Sequence, residues 1–201
     1  MEIVSAIGAI FGSVIGGIIT GHYALKSVKE AFENQKEQSA EEDQKNVTSL
    51  LQGIYDELEI VLDGYQRELG PSLASLKEGE ALMSYYPLVG DYFPVYNGNT
   101  LIIGRIQDND LRRSIIRTYH LGRSMIDSIR LNNDLIAKYE YAHKLYEETG
   151  QELHHKQAVA HFSSLVSYGQ TLKQGHIALM ESCTTTLRSM NKNAVISEVR
   201  N

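Results

Sequence analysis

Apolar residues recur along this chain at two distinct rhythms. From Ile3 to Leu25 they run almost unbroken, as IVSAIGAIFGSVIGGIITGHYAL, with no charged side chain. At 1.5 Å per residue, such a run spans ~34 Å as a helix, enough to cross a hydrocarbon layer of ~30 Å. Residues 26–46 then lose the apolar stripe. They are polar, mixed in charge and free of Gly and Pro, which predicts a solvated helical stalk or linker. At Val47 a helical seam begins: Val47, Leu51, Ile54, Leu58, Val61 and Tyr65 are spaced 4, 3, 4, 3, 4, the period of a helix packed in a bundle. Gly70-Pro71 ends that seam, and Pro71 suits the start of a short helix with Leu73, Leu76 and Leu82 on its apolar side.

Two further seams follow. Asp108 or Asn109 is a suitable N-cap for a helix carrying Leu111, Ile115, Thr118, Gly122, Met125, Ile129, Asn133 and Ile136, and continuing to Gly150. The last helix, from Gln151 to Met190, aligns Phe162, Leu165, Gly169, Leu172, His176, Leu179, Cys183, Leu187 and Met190. Gly122, Asn133 and Gly169 on these seams predict close helix approach or a fixed register. Residues 85–104 break the helical rhythm with four Tyr, one Phe, two Pro and three Gly. They read as an ordered aromatic loop over the bundle end. A small hairpin of 93–96 and 100–103 about the Asn97-Gly98 turn is the alternative.

The predicted fold is all-α, with a transmembrane helix followed by an elongated antiparallel bundle of three to four helices. The organisation is an anchor at 1–25, a stalk at 26–46, a bundle at 47–190 and a flexible tail at 191–201. A signal peptide competes for the first segment, but only Met1 and Glu2 precede the apolar run and the positive charges, Lys26 and Lys29, come after it. The same lysines predict an outside N-terminus and a cytoplasmic domain. A buried soluble helix also competes, although five glycines weaken it. Gly8, Gly12 and Gly16 form GxxxGxxxG, a spacing that lets helices associate in a membrane.

Composition narrows the functions. The net charge of −6 argues against general nucleic-acid binding. A single cysteine, Cys183, excludes an internal disulfide and a cysteine-based zinc site. The seven histidines show neither HExxH nor paired Glu-x-x-His motifs, and no nucleophile elbow, P-loop or dinucleotide fingerprint occurs. The expectation is a protein with no catalytic residues, no cofactor and no metal. His176, in an apolar seam, reads as a hydrogen-bonded core residue, and Cys183 as a buried inert thiol.

Six arginines crowd between Arg105 and Arg130: Arg105, Arg112, Arg113, Arg117, Arg123 and Arg130. They read as contacts for a lipid headgroup, a nucleotide or an acidic partner, or as partners of Asp56, Glu57 and Glu59 on a neighbouring helix. Tyr92, Phe93 and Tyr96, with Tyr85 and Tyr86, resemble a protein-contact patch. The segment 94–119 contains Pro94, Val95, Tyr96, Asn97, Ile103, Gly104, Ile115 and Tyr119 in an order that resembles a stretch of bacterial and phage-borne membrane-anchored proteins of unknown function. That resemblance implies a bacterial or prophage setting and, by association, a role in phage–host conflict, and carries no catalytic residues; the anchor then places the chain in the bacterial inner membrane.

The expected function is a non-enzymatic single-pass protein that self-associates and engages a protein partner at the cytoplasmic membrane surface. A membrane-perturbing effector built on the glycine zipper, and a sensor of anions, lipids or nucleotides built on the arginines, are the alternatives.

Overall fold

A computed structural model describes the backbone of residues 2–192 and the side chains of residues 20–191. Among the described residues its regular elements are all helices: α1 (Glu2–Glu68), α2 (Gly70–Ser75), α3 (Pro94–Gly98), α4 (Thr100–Ile103), α5 (Asn109–Thr149) and α6 (Glu152–Lys192). The chain divides into two compact units, residues 1–46 and 47–201.

In the first unit, residues 20–46 are exposed and helical, with weak surface pairs Lys26–Glu30 (3.8 Å) and Lys29–Glu33 (3.9 Å). Among the described residues no helix is long and apolar enough to cross a membrane. Most of the expected anchor, residues 3–19 with Gly8, Gly12 and Gly16, lies outside the described side chains, and most of the expected tail lies outside the described residues.

The second unit is built on the pair α5 and α6, which pack along their lengths. Gly150 joins them in the left-handed conformation (φ 64°) that glycine adopts without a Cβ penalty. Ser114 opposite Thr186 and Thr118 opposite Ser182 fix the antiparallel register. Asp108 caps α5 by accepting from the N–H groups of Asp110 (2.9 Å) and Leu111 (3.0 Å).

Leu50, Ile54 and Leu58 of α1 bury against Leu111, Ile115 and Tyr119 of α5, with Met190 of α6 in the same cluster. A second cluster joins Leu69 and Leu73 to Met125, Ile129, Leu172 and Leu179.

Four expectations are corrected. Residues 94–98 and 100–103 are short helices, and among the described residues there is no strand. Pro94 supplies the preset backbone at the first turn of α3, and a carboxylate from α1 satisfies that turn's amides. The helix after Gly70 stops at Ser75, so Leu82 is buried from a non-helical segment. Asn132, not Asn133, is the fully buried seam position of α5, and Thr186, not Leu187, holds that place in α6. Gly122 and Gly169 admit no neighbouring helix: a Cβ on Gly122 would lie 2.8 Å from Phe93, and one on Gly169 would lie 2.8 Å from the Glu80 carbonyl oxygen. Both glycines receive the segment that connects α2 to α3.

Candidate functional site

That connecting segment, residues 76–93, is a strap laid over α5 and α6. Lacking helical hydrogen bonds, its backbone groups need partners from outside. Asn132 donates to the Leu82 carbonyl (3.0 Å). Asn133 holds Tyr86 from both sides, accepting from its N–H (3.2 Å) and donating to its carbonyl (2.7 Å). Lys173 reaches the Leu76 carbonyl (2.6 Å). Tyr86 then donates its hydroxyl to Glu68 at 2.5 Å. Partial burial, and then that carboxylate, push the Tyr86 hydroxyl up to about 12.

Beyond the strap, Glu57 organises the aromatic turn. This carboxylate is only 7 % exposed, and a buried charge needs several partners. It has three: the N–H of Val95 (2.6 Å), the N–H of Tyr96 (3.2 Å) and the hydroxyl of Tyr119 (2.6 Å). A side chain of α1 thereby caps the first turn of α3 across 38 residues of chain. Tyr96 stacks on Tyr119 (3.9 Å), and Phe93 meets Tyr119 edge-on (5.1 Å). Arg123 lies over Tyr96 at 5.4 Å and hydrogen-bonds Asn97. Burial, followed by Glu57, holds the Tyr119 hydroxyl far above its ordinary range.

Between strap and helices lies a cleft of about 330 Å³. Leu58, Leu62 and Tyr65 of α1 form one wall, and Met125, Ile126 and Ile129 of α5 another. Tyr86, Leu88, Tyr92 and Phe93 close it from the strap, and Leu179 and Cys183 of α6 form its floor. Its polar atoms are already engaged. Tyr65 and His176 share a 2.8 Å hydrogen bond; burial raises the pKa of Tyr65 and lowers that of His176. Burial pushes the Cys183 thiol up to about 11, so at neutral pH it is a protonated, unreactive wall. The volume and the apolar walls with a few placed polar groups are those of a small-ligand pocket.

The structure separates the residues singled out in the sequence. Tyr92, Phe93 and Tyr96 do gather, at the cleft and over Tyr119. The arginines do not converge. Arg112 braces the start of α5, donating to the Ile106 carbonyl (2.5 Å) and to Asn109 (2.5 Å). Arg105 is exposed, Arg113 and Arg117 lie on a different groove, and Arg130 pairs with Asp127 (3.2 Å). Glu57 serves the aromatic turn rather than an arginine, while Asp56 accepts from Gln52 (2.8 Å) and Glu59 from Tyr55 (3.4 Å). Among the described residues, no three His, Cys, Asp or Glu side chains are placed to hold a metal ion.

Sequence reasoning missed the role of Glu57 at the aromatic turn, its bond to Tyr119 and the cleft itself. One signal was present: Glu57 falls between Ile54 and Leu58 on the face that α1 buries. No family model, curated protein or solved structure matches this chain.

Proposed function

We propose that this protein is a non-enzymatic binding module whose cleft holds an apolar ligand, tethered to a membrane through residues 3–25. The observation that carries the reading is the cleft: three helices wall it before any ligand arrives, and its polar groups are satisfied internally, leaving shape and apolar contact as the basis of recognition. The uncharged run at 3–25 supports the tether, and Gly8, Gly12 and Gly16 support self-association there.

Gly64 supplies the test. It lines the cleft, and a Cβ there meets nothing within 4 Å, so Gly64→Phe adds an aromatic ring to the cleft wall at a position with room for the new side chain to start. Native mass spectrometry of the full chain released from detergent micelles is expected to show a bound apolar adduct, or uptake of an added fatty-acid probe, that Gly64→Phe loses. A wild-type chain that neither carries nor takes up an apolar molecule overturns the reading.

A second reading, engagement of a protein partner beside the cleft, is favoured by Tyr85 and Val89, strap residues next in sequence to the cleft-lining Tyr86 and Leu88, which stay 66 % and 82 % exposed. Charge substitutions at these two residues, neither of which lines the cleft, are expected to abolish partner cross-linking while leaving adduct mass unchanged.

A further inference from the structure

A groove of about 310 Å³ between α5 and α6 shares no lining residue with the cleft. Arg113, Ser114 and Arg117 line it from α5 and Ser182 and Thr185 from α6, together with the carboxylates of Asp110 and Glu181. Arg113 and Arg117 stand one turn apart. Among the described residues neither has a hydrogen-bond or ion-pair partner, whereas Arg67, Arg112, Arg123 and Arg130 all do. Guanidinium forks are the side chains best matched to phosphate oxygens.

Beneath the groove runs a chain of hydroxyls whose two ends, Ser114 and Ser182, line it. Ser114 contacts Thr186 (2.6 Å), Thr186 contacts Thr118 (2.9 Å), and Thr118 contacts Ser182 (2.7 Å). Each hydroxyl carries one proton, so the three contacts use three of four. Thr118 and Thr186 are fully buried and have no acceptor outside the chain among the described residues. The odd proton therefore falls to an end, Ser114 or Ser182, and both ends line the groove.

The carboxylates decide what kind of anion fits. Two guanidiniums and two carboxylates leave the lining without net charge, so a bare phosphate gains little, while a phosphate with a cationic arm satisfies both signs. We propose that this groove binds a phosphoethanolamine group. Arg113, Arg117 and the spare serine hydroxyl hold the phosphate, and Asp110 or Glu181 holds the ammonium. The group occurs both as a lipid headgroup and as a free phosphomonoester.

Calorimetric titration of the full chain in phosphate-free micelles tests this with three probes: O-phosphoethanolamine, inorganic phosphate and glycerophosphoethanolamine. At least one of the two esters is expected to bind about tenfold more tightly than phosphate, a difference of about 1.4 kcal/mol. The double variant Arg113→Gln, Arg117→Gln is expected to abolish binding with its thermal melt unchanged, both side chains being exposed. Asp110→Asn with Glu181→Gln is expected to erase the preference for the esters over phosphate. Gly64→Phe is expected to leave this binding intact. Tighter binding of the glycerol diester assigns the lipid headgroup as the source, and tighter binding of the monoester the free compound. Absence of binding by both esters, binding that survives the arginine replacements, or equal affinity for phosphate overturns the proposal.

Discussion

Replacing Glu57 by alanine leaves the amides of Val95 and Tyr96 and the hydroxyl of Tyr119 without their shared acceptor. Each orphaned buried donor costs about 1–3 kcal/mol, so chemical denaturation is expected to report a loss of about 3 kcal/mol or more for Glu57→Ala, with Glu57→Gln losing less because one acceptor oxygen remains. His176 gives a prediction of opposite character. Its folded pKa lies below the unfolded value of 6.5, so the unfolded chain binds its proton first as pH falls. The stability it contributes is complete above pH 6.5 and declines as pH drops from there through the folded pKa. Urea melts at pH 7.5 and pH 5 are expected to differ more for wild type than for His176→Gln, and equal differences would remove His176 from that account. At this scale the sequence was partly readable. The burial of His176 and Cys183 followed from their seam positions, whereas Phe162 on the same seam is 41 % exposed. Glu57 was not legible, since an acidic residue on an apolar face gains meaning only from donors that arrive from distant parts of the chain.

The helices were legible because their apolar rhythm and their punctuation agree. The seam that starts at Val47 also marks where the second compact unit begins, and Asp108 and Gly150 bracket α5 as cap and stop. The strap was illegible as a lid: without periodicity, its path is set by Asn133, Asn132 and two glycine notches on other elements. A pair of glycine substitutions separates these roles. Gly64→Ala is expected to stabilise by about 0.5–1 kcal/mol, the gain from removing a helix-interior glycine. Gly122→Ala places a methyl group 2.8 Å from Phe93 and is expected to destabilise despite the same propensity gain. Equal effects in thermal melts would mean that Phe93 moves aside freely. Asn133→Ala is expected to raise amide exchange through residues 82–90, as read by mass spectrometry, with α5 and α6 staying protected.

For the whole molecule, the proposed tether and the bundle make separable contributions. Removing residues 1–46 is expected to move the protein from the membrane fraction to the supernatant and to leave the unfolding free energy of residues 47–201 within about 0.5 kcal/mol, because the two units have separate internal contacts. A full-length chain found in the supernatant would remove the tether from the proposal while leaving the cleft untouched.

The cluster that joins Leu50 and Ile54 to Met190 also has a consequence for how the chain is made. A ribosome emits the α1 half of that core first and its α6 partner 140 residues after Leu50. At ~5–20 residues per second, Tyr119 follows Leu50 by roughly 3–14 s and Met190, the last part of the cover, by roughly 7–30 s. Until the aromatic turn and Tyr119 are synthesised to receive it, Glu57 stays hydrated on an apolar ridge that has no helix to cover it.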